Sequence, residues 1–139
     1  MQIKDVMTTE VTTIEPSTRL DEIARIMRDE DIGAVPVAEN DRLVGMVTDR
    51  DIVLRGVAEG EDAQPRTARD VMSAKILYCR DDQSLDEVLK NMGDLQVRRL
   101  PVIDRQDRLV GIVSLGDLSR EAKPNRAGES LKEISQPPH

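Results

Sequence analysis

Asp41-Arg42-Leu43-Val44-Gly45 recurs without a mismatch as Asp107-Arg108-Leu109-Val110-Gly111, and these two stretches decide how the chain is read. With them superposed, the same register holds on both sides. Asp5-Val6-Met7 falls on Asp70-Val71-Met72, and Leu20-Asp21-Glu22 on Leu85-Asp86-Glu87. Met27 meets Met92, Asp29 meets Asp94, Pro36-Val37 meets Pro101-Val102, Val47 meets Val113 and Asp51 meets Asp117. One inserted residue in the second turn is the only break. The chain is an internal duplication. With two copies rather than an array, a stacked solenoid is disfavoured. Two units too small to bury their own apolar faces are expected to pack on each other about a pseudo-twofold axis, leaving two equivalent clefts.

The elements repeat with the residues. Residues 11–14 and 76–79 are short and β-prone, and each is predicted as a strand. Leu20, Ile23, Ala24, Met27 and Leu85, Val88, Leu89, Met92 recur at helical spacing, with Ser17 and Asp82 as expected caps. Residues 34–38 and 100–103 are apolar strands carrying a proline, which suggests a sheet edge or a strand start because proline cannot donate to a ladder. Residues 43–47 and 109–113 are almost wholly apolar and are predicted buried on both faces. A second helix follows each, over 49–57 and 115–122. The order is strand, helix, strand, strand, helix, twice: an α/β (α+β) fold. The expected boundaries are 1–60 for the first motif with the start of a linker, 61–122 for the second motif, and 123–139 for a polar tail with one helical turn at 130–134. Residues 58–69 read as the connection.

Composition narrows the function. The chain of 139 residues has no Phe or Trp and one tyrosine, so its core must be aliphatic. A formal net charge of −7 disfavours general binding to nucleic acid or to anionic membrane. There is no apolar run of about 20 residues to span a bilayer and no signal-peptide core near Met1, so a cytoplasmic location is expected. Cys79 is the single cysteine and is predicted to be a buried structural thiol in a reducing compartment. His139 is the single histidine and ends the polar tail. No acid–base pair, metal-ligand cluster or glycine-rich phosphate loop is visible, so the chain is not expected to be an enzyme.

Chemistry concentrates where each long strand meets its second helix: Gly45-Met46-Val47-Thr48-Asp49-Arg50-Asp51 and Gly111-Ile112-Val113-Ser114-Leu115-Gly116-Asp117. A hydroxyl ends the strand and a carboxylate follows one turn later. One reading is a capping box, made imperfect by Asp in place of Glu or Gln. The other is a nucleotide site. Free amides at the helix start would attract phosphate, the carboxylate would accept both hydrogen bonds of a ribose diol, and Arg50 would offer a planar fork to phosphate oxygens. Arg98 and Arg99 run into the strand of the second repeat and are further candidates for phosphate, or else for solvent and carboxylate partners. The first repeat has Gly33 and Ala34 there, room and backbone that suit a flat base.

The doubled Asp-Val-Met, Leu-Asp-Glu, Pro-Val, Leu-Val-Gly and Thr/Ser-x-x-Asp pattern resembles a tandem pair of cystathionine-β-synthase (CBS) domains, a Bateman module, over about residues 3 to 122. The resemblance implies paired three-stranded sheets, homodimerisation, and binding of AMP, ADP, ATP or S-adenosylmethionine in a regulatory role exerted through an unidentified effector protein. By position it implies ribose on Asp51 and Asp117, and phosphate on Thr48, Arg50, Ser114, Arg98 and Arg99. It places adenine against Ile14, Ala34, Val35 and Pro36 in one cleft and Cys79, Leu100 and Pro101 in the other. Because Gly116 replaces Arg50 and the first repeat lacks the arginine pair, the two sites should differ in affinity. A scaffold that only dimerises is the rival reading.

Overall fold

The computed structural model describes residues 1–60, 66–73 and 76–121. The chain divides into two compact units, Thr12–Ile76 and Met1–Val11 with Leu77–His139. The first-repeat unit contains α1 (Leu20–Glu30), β1 (Ala34–Glu39), β2 (Arg42–Thr48), α2 (Asp49–Asp51) and α3 (Ala68–Val71). The second-repeat unit contains a 3-10 turn at Ile3–Asp5, then β3 (Cys79–Arg80), α4 (Leu85–Leu95), β4 (Arg99–Ile103), β5 (Leu109–Ser114) and α5 (Leu115–Glu121). This is the mixed α/β order read from the sequence.

Each unit is built around an antiparallel hairpin with one helix packed on it. β1 pairs with β2 from Ala34↔Thr48 to Glu39↔Arg42, and β4 pairs with β5 from Arg99↔Ser114 to Ile103↔Leu109. Ile23, Met27, Val35, Val37 and Val47 form the centre of one core; Val88, Leu89, Met92, Leu100 and Val102 form the other. These positions are aliphatic, as a chain without Phe or Trp requires.

The exchange of Asp-Val-Met segments between repeats was not legible in the sequence. Asp5-Val6-Met7 belongs to the unit of the second hairpin, where Thr8 and Ile112 exchange backbone hydrogen bonds at 2.9 Å. Asp70-Val71-Met72 belongs to the unit of the first hairpin, where Ser73 and Met46 do the same at 2.9 and 3.2 Å. The glycine of each Leu-Val-Gly makes room for this. A Cβ on Gly111 would stand 2.6 Å from the Met7 sulfur and 2.9 Å from the Thr8 carbonyl oxygen; one on Gly45 would stand 2.9 Å from the Met72 sulfur.

Several local expectations are corrected. The first strand of each repeat is shorter than predicted: Ile14 makes a single parallel bridge to Val37, and β3 is two residues long. The caps lie two residues later than Ser17 and Asp82, at Arg19 and Ser84; Ser84 accepts from the Glu87 N–H, while Arg19 offers no side-chain cap. Pro101 does not mark an edge, because β4 is the central strand of its sheet. Pro101 precedes the first residue of the parallel pairing, and Pro36 joins the ladder through its carbonyl, which accepts from the Ile14 N–H, so neither forfeits a ladder bond. β2 and β5 alternate buried and half-buried residues rather than being buried on both faces. Residues 52–57 form a π-helical turn, closed by the Ala58 N–H on the Val53 carbonyl at 2.9 Å. There Gly56 is buried against Leu20, whose Cδ1 would be 2.8 Å from an added Cβ. The expected turn at 130–134, the rest of the 123–139 tail and the middle of the 58–69 connection lie outside the described residues.

Candidate ligand-binding site

Both strand-to-helix junctions have the geometry their matching residues demand. In the first-repeat unit the Thr48 hydroxyl accepts from the Asp51 N–H at 3.1 Å, and the Asp51 Oδ2 accepts from the Thr48 N–H at 2.9 Å. In the second, the Ser114 hydroxyl accepts from the Asp117 N–H at 3.1 Å, and the Asp117 Oδ2 accepts from the Ser114 N–H at 3.2 Å. Asp therefore closes a complete capping box despite its shorter side chain. The structural reading of these residues holds.

The expectation of free amides for phosphate does not hold at the first junction, and at the second it holds only for the Gly116 N–H, which has no partner among the described residues. Besides the two amides in the box, the Asp49 N–H donates to the Gly33 carbonyl at 3.0 Å and the Arg50 N–H to the Asp49 carboxylate at 2.8 Å. In the second unit the Leu115 N–H donates to the Arg98 carbonyl at 2.7 Å. A helix start whose first amides are bonded internally attracts an anion weakly. Besides the Gly116 amide, the positive groups left there are side chains. Arg50, Arg98 and Arg99 are exposed and form no ion pair among the described residues, whereas Arg19, Arg25, Arg28, Arg55, Arg80, Arg105, Arg108 and Arg120 all do. In an acidic chain, unpaired guanidinium groups at the two sites singled out are the stronger phosphate feature.

Each box leaves the second oxygen of its carboxylate beyond the backbone. Asp51 Oδ1 lies 3.7 Å from Arg55, and Asp117 Oδ1 accepts from Arg120 at 2.7 Å. Both carboxylates are largely covered, 16% and 22% exposed. Arg55 and Arg120 were missed in the sequence, although one helical turn separates each from its aspartate.

The expected base-binding residues divide between the units by repeat. Ile14, Ala34, Val35 and Pro36 lie in the first-repeat unit with Thr48 and Asp51; Cys79, Leu100 and Pro101 lie in the second with Ser114 and Asp117. Ala34 pairs directly with Thr48, and Arg99 with Ser114. Val35 and Leu100 point into the cores, 0% and 1% exposed, so what β1 and β4 present to a ligand at those positions is backbone. Cys79 is 1% exposed and desolvation pushes its thiol up to about 12, as a structural thiol requires. Two cavities of the first-repeat unit, of about 320 and 390 Å³, are lined by neither Thr48 nor Asp51.

Comparison with known proteins accounts for the doubled pattern. The CBS domain family model matches the chain twice, at residues 3–57 and 68–123. The chain belongs to the CBS-domain family. The CBS domain-containing protein YhcV of Bacillus subtilis (strain 168) is 43% identical over 134 residues, covering 96% of this chain and 94% of that protein. The crystal structure of Hypoxic Response Protein I with two coordinated zinc ions superposes with a TM-score of 0.77 at 41% identity, covering 88% of this chain and 99% of that one. That of CBSX2 in complex with AMP gives a TM-score of 0.76 at 26% identity, covering 86% and 94%. In this CBS chain, no group of three or more His, Cys, Asp and Glu side chains among the described residues is placed to hold a metal. Among the same residues no helix is long and apolar enough to cross a membrane.

Proposed function

We propose that this CBS-domain chain is a non-catalytic regulatory module that binds an adenine nucleotide and acts through a separate effector protein. The observation that carries the reading is the twofold occurrence of one junction: a covered carboxylate whose Oδ1 lies beyond its capping box, beside Arg55 in one repeat and Arg120 in the other. Asp51 and Asp117 would accept the ribose hydroxyls through Oδ1, displacing or sharing Arg55 and Arg120. Thr48 and Ser114 would position the sugar and phosphate, and Arg50, Arg98 and Arg99 would hold the anion. The adenine would lie along β1 beside Ile14, Ala34 and Pro36, or along β4 beside Cys79 and Pro101, against backbone at Val35 and Leu100. The AMP complex of the similarly folded CBSX2 supports the ligand class.

Regulation follows only if the nucleotide binds two arrangements of the protein with different affinity. A second copy of the chain is the fitting partner for the exposed Val53, Leu54 and Val57 of the π-helical turn. The matching helix end of the second repeat offers no such surface among its described residues, since Leu118 is buried and Ser119 and Arg120 are polar. A scaffold that only dimerises would also need this patch, and it explains the capping boxes equally well. Calorimetric titration with AMP, ATP and S-adenosylmethionine, with thermal melts in parallel, separates the two. A saturable heat and a raised melting temperature with at least one of them support the nucleotide module; no heat and no shift with any supports the scaffold.

A further inference from the structure

The two repeats build one corner of the fold in different ways. In the second-repeat unit the Arg80 guanidinium donates to the Asp104 carbonyl at 3.0 Å and to the Asp107 carboxylate at 3.2 Å, tying the end of β3 to the β4–β5 turn. The first-repeat unit has the matching backbone there up to its β1–β2 turn, which is one residue shorter. Ile14 pairs in parallel with Val37 as Cys79 does with Val102. The Pro16 carbonyl accepts from the Arg69 N–H as the Asp81 carbonyl accepts from the Lys4 N–H, both at 2.9 Å. That register puts Glu15 where Arg80 stands and Glu39 where Asp104 stands.

In place of the guanidinium tie, the first-repeat unit has a cavity of about 320 Å³ whose lining includes Glu15, Ser17, Glu39, Asn40 and Arg69. The side chains of Glu15, Glu39 and Arg69 form no hydrogen bond or ion pair with any described residue. Two carboxylates and one guanidinium give the cavity a single net negative charge, and Ser17 and Asn40 add neutral donors and acceptors. The complement is a small molecule of single net positive charge that also carries a carboxylate. We propose that this cavity binds a basic amino acid, its guanidinium or ammonium head taking the place of Arg80 beside Glu15 and Glu39 and its carboxylate meeting Arg69. The cavity lies by the β1–β2 turn, at the far end of the hairpin from the Ala34↔Thr48 pair, so this site stands apart from the nucleotide reading.

An NMR titration of the full chain with L-arginine tests the assignment. Saturable shifts should appear at Glu15, Ser17, Asn40 and Arg69. Binding should weaken about tenfold or more in Glu39→Gln, the scale expected for one lost charge-assisted hydrogen bond. It should be abolished in Glu15→Arg, which supplies the guanidinium from within the chain. L-norleucine, which lacks the cationic head, should produce no shifts. Absence of a saturable response to arginine, an equal response to norleucine, or unchanged arginine binding in both variants would overturn the proposal.

Discussion

Asp51 and Asp117 each commit Oδ2 to the backbone N–H three residues before it and keep Oδ1 for something else. That division of one carboxylate makes the capping role and the proposed binding role separable by substitution. Asp51→Ala removes the acceptor for the Thr48 N–H and should lower stability by about 1 kcal/mol in urea melts. Asp51→Asn can still accept from Thr48 through its amide oxygen, so its loss should be about half as large or less. It puts an NH2 where Oδ1 stood, so it should nonetheless lose nucleotide. Cys79 gives a second residue-scale prediction. Its folded-state value near 12 exceeds the ordinary thiol value of 9.0 because burial disfavours the thiolate. The unfolded chain therefore holds fewer protons than the folded one between those two values, and stability from this group is complete below pH 9.0 and falls toward pH 12. Thiol labelling at neutral pH should be slow in the native protein and fast in denaturant; labelling at the free-thiol rate without denaturant would contradict the burial.

At the scale of elements, the helices and paired strands were legible because their signals are local: apolar residues at helical spacing, and apolar runs bounded by turns. The short strands and the caps of α1 and α4 were not. Ile14 is held by hydrogen bonds to Pro36 and Ala38 rather than by its own sequence, and its strand shrinks to that one bridge. The π-helical turn was hidden because it depends on Gly56 meeting Leu20 across the fold. The glycine of each Leu-Val-Gly has the same kind of cause, a contact with a distant Asp-Val-Met segment. Gly111→Ala should cost about 1–3 kcal/mol, the range for an added methyl in a closed core, because one of its neighbours is the immovable Thr8 carbonyl. Gly45→Ala should cost less, since its nearest neighbour is the flexible end of Met72 and the Ser73 carbonyl stands at 3.2 Å. Equal losses in denaturant melts would contradict that ordering. The site was legible to the same extent. Matching Thr/Ser and Asp positions located the junctions, whereas the satisfied amides and the partners Arg55 and Arg120 are tertiary and helical facts that spacing alone did not single out.

For the whole molecule, the duplication is not two independent beads in chain order, because Met1–Val11 completes the unit of the second hairpin. Ile3 is 0% exposed in that unit's core. Removing residues 1–9 should therefore destabilise the distant second repeat more than the adjacent first. Limited proteolysis or hydrogen exchange would read this as lost protection over residues 79–121; loss confined to 20–57 would contradict it. Of the two junctions only Ser114–Asp117 sits in a unit built from both ends of the sequence, so removing residues 1–9 should disturb that junction more than the one at Thr48–Asp51. If the paired junction carboxylates hold a nucleotide's ribose, as proposed, replacing both must weaken binding. Calorimetric titration of AMP into the wild-type chain and into the Asp51→Asn, Asp117→Asn double variant tests it most directly. A saturable heat is expected in the wild type, with binding about tenfold or more weaker in a variant that still folds; equal heats in the two proteins, or none in either, would rule out the ribose role.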